Sequence, residues 1–219
     1  MTKHTTRSID RESTLPATET EVSQDLAGTL ALGVVDGSVR LVPHNPLWQT
    51  YFDLESQHLY KVLEPYIKEI RHIGSTAIPG IFAKPILDIM VGLVNVADVR
   101  HCEAPLEALD YIYEGEQDIS GWHFFRKKTG DLTTHHLHVV EWNGAYWRDH
   151  VLFQEYLFRH PEVAEAYERL KITLAKKYAD DREAYTQDKT DFINKITEMA
   201  RRVQQHRPSP NGEEGQDES

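Results

Sequence analysis

The amino-acid sequence predicts an α+β fold, in which a mixed β-sheet with flanking helices is followed by a helical C-terminal part. Short apolar runs rich in β-branched and aromatic residues recur between residues 67 and 142, as expected for strands. After Asn143-Gly144 the apolar spacing changes to every third or fourth residue and stays so to about residue 203, which is typical of helices. The chain has 219 residues, of which 40% are hydrophobic, so it can bury one core but is short for two typical domains.

Each element follows from a local signal. The Asp36-Gly37 turn predicts a strand at residues 39–42. Asn45-Pro46 predicts a helix start, because Asn caps helices and Pro suits the first position, and the apolar spacing extends this helix to residue 63. Further strands are predicted at about residues 67–73, 85–93, 111–113, 122–127 and 134–142, and further helices at about residues 96–109, 147–160, 161–178 and 181–203.

The two ends of the chain differ in composition from the middle. Residues 1–37 are predicted to be a mostly disordered extension, because the first 25 are rich in Ser, Thr and Glu. Residues 26–35 are mildly apolar and fit either a small helix or a strand. Pro, Gly and acidic residues predict a disordered acidic tail at residues 204–219. The folded domain is therefore expected to span residues 38–203.

Composition limits the class of protein. The formal net charge of −11 argues against general nucleic-acid binding, since phosphate contacts dominate such affinity. The single cysteine, Cys102, allows neither an intramolecular disulfide nor a cysteine-based zinc site, and it suits a reducing cytosol. The sequence contains no signal-peptide core and no run of about 18 apolar residues, so we expect a cytoplasmic protein without a membrane span.

The stretch over residues 71–92 carries the strongest functional signal. Gly74 permits a positive φ or a close backbone approach, and Ser75 and Thr76 add hydroxyl and backbone N–H groups that suit an anion. Asp88 lies inside an apolar run that is typical of a buried strand. Because a buried acid requires a partner, Asp88 is a candidate functional residue.

This stretch resembles the GrpB family, a group of small proteins with a nucleotidyltransferase-like fold. The resemblance continues in the family's order through residues 41–48, 124–127 and 135–140, and then through Lys189 and Phe192. It covers about residues 38–203. It implies a nucleotidyltransferase-like mixed β-sheet with flanking helices and a helical C-terminal part, the same architecture that the periodicity predicts.

The wider nucleotidyltransferase superfamily has Gly-Ser, a spacer, and then two acids separated by one apolar residue. Gly74-Ser75 and Asp88 match this pattern, but Met90 stands where the second acid is expected. The resemblance implies nucleotidyl transfer assisted by Mg²⁺ or Mn²⁺, with Asp88 bridging the ion and the phosphates of a nucleotide. Met90 argues against the usual arrangement of two metal ions.

A predicted strand rich in histidine supplies the second group of candidate residues. Alternate side chains of a strand share a face, so His136 and His138 project together while His135 faces away. Such a pair could hold Zn²⁺ or a similar ion, act as an acid or base, or only make hydrogen bonds. With Asp88 on an adjacent strand, His136 and His138 would form a mixed ligand set, so these three residues are candidates for catalysis and for metal binding.

Several cations near these positions are candidates for phosphate binding. Arg126 offers a planar fork that matches phosphate, and Lys84 follows the Gly-Ser turn. Lys189 shares a helix face with Tyr185, four residues earlier, and could reach the same cleft. Each cation could instead be a solvated charge, and Asp88 could be a structural acid paired with Lys84 or Arg126. The predicted phosphate-binding residues are Gly74, Ser75, Thr76, Lys84, Arg126 and Lys189.

Three functions remain open at this point. The first is a protein that binds a nucleotide or another phosphorylated small molecule and transfers a nucleotidyl group. The second is a catalytically inactive module that binds a nucleotide or a protein partner, which Met90 favours. The third is a metal-dependent hydrolase that uses His136 and His138.

Overall fold

The described part of the chain forms a six-stranded β-sheet of mixed direction, with two helices between its strands and three after its last strand. The computed structural model describes residues 32–205. The strands are β1 (Val34–Val35), β2 (Ile67–Ile73), β3 (Leu87–Leu93), β4 (Tyr111–Glu116), β5 (His123–Thr129) and β6 (Leu132–Glu141). The helices are α1 (Leu47–Leu63), α2 (Val99–Glu107), α3 (Ala145–Arg159), α4 (Pro161–Lys177) and α5 (Arg182–Gln205). The predicted α+β architecture, a mixed sheet followed by C-terminal helices, is confirmed.

The sheet has the strand order β2-β3-β6-β5-β4, and the short strand β1 pairs with the start of β6. Strands β3 and β6 run parallel, whereas the other pairs are antiparallel. The parallel register places Asp88 beside His136 and Met90 beside His138. Because paired residues project to the same face, all four side chains lie on one side of the sheet.

Helices cover both faces of the sheet. On one face, Met90 is fully buried and packs with Val140 and with Trp147 of α3. On the other face, the alternate β3 residues Leu87 and Ile89 are also fully buried, on the side where α1 packs on the sheet. Within residues 32–205, none of the helices combines the length and the apolar character that crossing a bilayer requires.

The face covered by α1 contains a buried polar group of residues, which we call the α1 cluster: Glu55, Tyr111, Lys127 and His135. Glu55 is 7% exposed and accepts hydrogen bonds from the Tyr111 hydroxyl and from Nζ of Lys127, both at 2.9 Å. The His135 ring lies 6.3 Å from the Tyr111 ring, centroid to centroid. The acid and the lysine of this cluster therefore neutralise each other, and the cluster joins α1 to the sheet.

The predicted boundaries differ from the structure in some details. Residues 39–42 do not form a strand, since only Val42 makes an isolated bridge, to Ala83. Val34 belongs to β1, and the Asp36 carboxylate accepts a hydrogen bond from Thr133 at 2.6 Å, so this part of the predicted extension contacts the sheet. Helix α5 continues to residue 205. The rest of the predicted extension and of the predicted acidic tail lies outside the described residues.

Candidate functional site

A cleft of about 830 Å³ lies between the sheet and helices α3, α4 and α5. It is lined by Gly74 and Ser75, by Asp88 of β3, and by His136 and His138 of β6. The fold thus brings the Gly-Ser turn, the acid and the two histidines to one place. The cavity volume lies in the range that holds small-molecule ligands in proteins.

The Gly-Ser turn passes directly beside Asp88. Gly74 has a φ of 71°, in the left-handed region that favours glycine. A Cβ atom at this position would lie 2.3 Å from Oδ2 of Asp88. Glycine is therefore required both by its backbone conformation and by the close approach of the acid, so the turn and Asp88 are sterically coupled.

Hydrogen bonds determine where His136 carries its proton. Its Nδ1 lies 2.8 Å from Oδ1 of Asp88, and its Nε2 lies 3.2 Å from Nη2 of Arg182. A guanidinium group only donates, so Nε2 accepts and the ring proton lies on Nδ1, where it is donated to Asp88. His136 is thus a neutral imidazole that donates to Asp88 through Nδ1 and accepts from Arg182 through Nε2.

The charges around this pair agree with the assignment. Burial favours the neutral acid, but the hydrogen bond from His136 and the positive charge of Lys84 outweigh burial and hold the pKa of Asp88 well below its usual range. Burial lowers the pKa of His136, although Asp88 opposes this shift. Asp88 is ionised at neutral pH, and its side chain keeps 29% exposure, so a ligand in the cleft can reach it.

His138 carries its proton on the other nitrogen. Its Nδ1 accepts hydrogen bonds from Nε1 of Trp122 and from the Tyr146 hydroxyl, both at 3.0 Å. An indole N–H only donates, so the proton of the neutral ring is on Nε2. Burial lowers the pKa of His138 to about 3, which keeps the ring neutral. His138 therefore acts as a hydrogen-bond donor rather than as a base.

Four cationic side chains form one side of the cleft, and we call them the cation wall: Lys84, Lys171, Lys189 and Arg182. Nζ of Lys84 and Nζ of Lys189 lie 5.7 and 4.5 Å from the centre of the Tyr185 ring. Lys171 is 1% exposed and donates to a backbone carbonyl at 2.5 Å. Helices α4 and α5 and the segment before β3 thus contribute to one positively charged surface.

Carboxylates do not neutralise the cation wall. The lysine ion pairs within residues 32–205 are made by Lys127, Lys128 and Lys177, none of which lines the cleft. At the rim of the cleft, Asp149 forms an ion pair with Arg201. The remaining acid among the lining residues, Glu198, is likewise paired with arginine side chains, so Asp88 is the lining acid that faces the wall, while Glu168, outside the lining, partly offsets the charge of Lys171.

Crowding of positive charge changes the acid–base properties of the wall. Burial, together with the charge of Arg182, lowers the pKa of Lys84 to about 8. Burial and repulsion from Lys84 lower the pKa of Lys189 to about 7. Burial and repulsion from Lys189 lower the pKa of Lys171 to about 7 as well. Removing a proton from one lysine therefore relieves repulsion on the others.

Comparison with known proteins identifies the family. A family model described as GrpB protein matches residues 38–199. The chain belongs to the GrpB family. It is 41% identical to the glutamate-rich protein GrpB of Alkalihalophilus pseudofirmus over 169 residues, which cover 75% of this chain and 97% of that protein.

Two further relatives extend this comparison. UPF0157 protein YqkA of Bacillus subtilis is 36% identical over 80% of this chain and 50% of that protein. The crystal structure of GrpB from Enterococcus faecalis matches with a TM-score of 0.71 and 31% identity, and the match covers 76% of this chain and 100% of that chain. The resemblance to GrpB found in the sequence is thus confirmed.

Two of the predicted phosphate-binding residues of this GrpB chain lie outside the cleft. The Arg126 guanidinium donates to Glu114 at 2.5 Å and to Asp36 at 3.0 Å, so its charge is already balanced. Thr76 is 2% exposed, and its hydroxyl lies 2.9 Å from Nε2 of His72. Both side chains have structural partners, which corrects their assignment to the phosphate site. Asp88 is likewise paired with neither Lys84 nor Arg126 but with a histidine.

The three predicted metal ligands of this GrpB chain are neighbours, yet they are not arranged as a three-ligand site. Within residues 32–205, no three His, Cys, Asp or Glu side chains are placed to hold one ion. His138 presents an N–H group rather than a lone pair, and Met90 is fully buried among apolar side chains at the position of the expected second acid. The residues present therefore do not form a three-ligand site in which Asp88, His136 and His138 hold one ion.

Two members of the cation wall were not predicted from the sequence, although a helical spacing pattern points to each of them. Arg182 lies three residues before Tyr185 and seven before Lys189, so all three share one helix face. Lys171 lies four residues after Tyr167, within the apolar stripe of α4. A lysine within an apolar stripe is the pattern that indicates a buried cation.

Proposed function

We propose that this GrpB protein binds a phosphorylated small molecule, with its phosphate groups against the cation wall. The observation that carries the proposal is that Lys84, Lys171, Lys189 and Arg182 converge on one cleft where Asp88 is the acid that faces them. Burying cations without a carboxylate to balance their charge is costly, and proteins keep such groups where a ligand supplies the opposite charge. A phosphate ester or anhydride is an anion of suitable charge, and Arg and Lys are its usual partners.

The geometry of the other lining groups supports a ligand of this kind. Ser75 lines the cleft and adds a neutral hydroxyl, which also hydrogen-bonds with the Tyr167 side chain. Nη2 of Arg182 lies 3.2 Å from His136, so part of the guanidinium fork remains for a phosphate. Because Asp88 stands without a second acid, we derive no metal-dependent transfer step, and the proposal is binding.

Inorganic tripolyphosphate is the probe that tests this proposal, by titration calorimetry at low ionic strength with and without Mg²⁺. We expect binding without the metal ion, and a loss of affinity of about tenfold or more in Lys189→Met. Lys176→Met makes the same change of charge on the exposed end of α4, outside the cleft, and should bind like the parent. Failure of the parent to bind, or equal affinity of Lys189→Met and the parent, would overturn the proposal.

A further inference from the structure

The end of the cleft away from Arg182 is lined by aromatic rings, and we call it the aromatic end: Trp122, Phe124, His138, Tyr146 and His150. Trp122 stacks on His138 with 5.7 Å between ring centroids, and Tyr146 stacks on His150 at 4.0 Å. The Phe124 ring lies 5.3 Å from His138. Each histidine of this end is therefore held in place by an aromatic neighbour.

The two histidines of the aromatic end have opposite hydrogen-bonding character. His138 carries its proton on Nε2, because its Nδ1 accepts from the indole of Trp122. His150 is the reverse: its Nδ1 lies 2.9 Å from the backbone carbonyl of Tyr146, which only accepts, so Nδ1 carries the proton and Nε2 is a free acceptor. Burial lowers the pKa of His150, which favours the neutral ring. The aromatic end thus presents one N–H donor, on His138, and one lone-pair acceptor, on His150.

The spacing of these groups suits a planar ring. The centroids of His138 and His150 are 6.5 Å apart, with 35° between the ring planes. Within residues 32–205, neither Nε2 atom has a hydrogen-bond partner in the protein, and neither is buried out of reach of solvent. Both nitrogens are therefore available to a ligand, and the half-buried face of Phe124 offers a surface for stacking.

The aromatic end lies at a defined distance from the cation wall. Arg182 of the wall contacts His136, whereas Trp122 contacts His138, two residues further along β6. Two residues of a strand span about 7 Å, so the two contacts lie about that far apart along β6. One ligand could therefore place phosphate groups at Arg182 and a planar ring beside His138.

We propose that the aromatic end is a binding site for a nitrogen heterocycle whose edge presents an adjacent hydrogen-bond donor and acceptor, the pattern of a nucleobase. His138 would donate to the acceptor of the base, His150 would accept from its donor, and Phe124 would stack on its face. This inference rests on the proposed function, since it makes the phosphorylated ligand a nucleotide. An aliphatic phosphate ester would leave both histidine nitrogens without partners.

Titration of the full-length protein with ATP, GTP, CTP and UTP, each compared with tripolyphosphate, tests this inference. We expect at least one nucleotide to bind about tenfold or more tightly than tripolyphosphate, since base stacking and edge contacts add to phosphate binding. In His150→Phe, which keeps a ring against Tyr146 but removes the acceptor, that gain should disappear. The affinity of His150→Phe for tripolyphosphate should equal that of the parent.

The outcomes separate the two proposals. If tripolyphosphate binds and no nucleotide binds more tightly, the base site is wrong while the phosphate site stands. If neither tripolyphosphate nor any nucleotide binds, the proposed function itself fails. Should His150→Phe not fold, ¹⁵N NMR of the parent histidines gives an independent answer: the expected result is a proton on Nε2 of His138 and on Nδ1 of His150, and the reverse result for either ring would overturn the inference.

Discussion

The two faces of strand β6 hold buried charge in opposite ways. His135 points toward the α1 cluster, where Glu55 and Lys127 form an ion pair at 2.9 Å and Tyr111 donates to the same carboxylate. His136 points into the cleft, where three lysines and one arginine are opposed by Asp88. Neighbouring residues of one strand thus face a balanced and an unbalanced environment.

This difference separates structural charge from functional charge. In the α1 cluster each buried group has its partner inside the protein, so no charge is left uncompensated and the cluster needs nothing from outside. In the cleft, burial and repulsion between the cations lower the pKa of Lys171 and Lys189 to about 7, so the fold tolerates the cations at a cost in stability. A ligand anion would remove that cost, which is why we place the binding site there.

The largest expected effect on stability comes from disrupting the balanced face of β6, which is the face that carries the α1 cluster. Glu55→Gln leaves the partly buried Lys127 without its carboxylate and should lower the free energy of unfolding by about 3 kcal/mol. Lys189→Met on the unbalanced face should raise it by about 1 kcal/mol, because repulsion falls. Urea unfolding of both variants checks this, and the comparison fails if the two changes have the same sign.

A second substitution tests the coupling of the Gly-Ser turn to Asp88. Gly74→Ala introduces a Cβ that would lie 2.3 Å from Oδ2 of Asp88, in a backbone conformation that disfavours side chains. We expect a loss of about 2 kcal/mol from strain and displacement of the acid. Gly80→Ala is the control, since Gly80 has a φ of 82° but no atom within 4 Å of an added Cβ. Equal losses in the two variants would show that Asp88 does not constrain the turn.

Asp88→Asn tests how much the negative charge of Asp88 stabilises the unbalanced face of β6, where the cation wall lies. The amide oxygen can still accept the proton of His136, so the expected effect comes from removing negative charge beside the cation wall. Because Asp88 is partly exposed, we expect a loss of about 1–2 kcal/mol at pH 7. The loss should shrink at pH 9, where the lysines of the wall are mostly neutral. A loss that does not change with pH would exclude the electrostatic explanation.

The smallest expected effect is the pH dependence of the parent without ligand. Lys84, Lys171 and Lys189 have folded-state pKa values of about 8, 7 and 7, below the ordinary value of 10.5. Above pH 7 the unfolded chain therefore keeps protons that the folded chain has lost, so stability rises as the pH increases. We expect a gain of about 1 kcal/mol between pH 7 and 7.5 by urea unfolding, and a smaller gain in Lys189→Met.

Much of the fold could be predicted because its signals are local. The run from residue 67 to residue 73 is a strand in both the prediction and the structure, and Asn45 caps α1 through its side-chain oxygen, 3.0 Å from the backbone N–H of Leu47. The strand predicted at residues 39–42 after the Asp36-Gly37 turn was wrong, since these residues make a single bridge, from Val42 to Ala83. Pairing partners are set by tertiary structure, which a local pattern does not contain.

The site was predicted in part for the same reason. Gly74 and Asp88 were found because each is unusual in its own local sequence. Arg126 was predicted to bind phosphate because its planar fork matches that group, but acids at positions 36 and 114, distant in sequence, hold its side chain. Arg182 was missed because its contact with His136 joins residues 46 positions apart. Candidate site residues could therefore be identified from the sequence, whereas their hydrogen-bond and ion-pair partners could not.

The parallel pairing of β3 and β6 also bears on how the cleft comes into existence during folding. Asp88 and His136 are 48 residues apart in the chain, and Arg182 joins them from the last helix. Contacts across such separations form late, because the loop between them must be closed first. The cleft is therefore assembled only when the whole sheet and α5 are in place, and a nascent chain that lacks its last helix would have a sheet but no complete binding site.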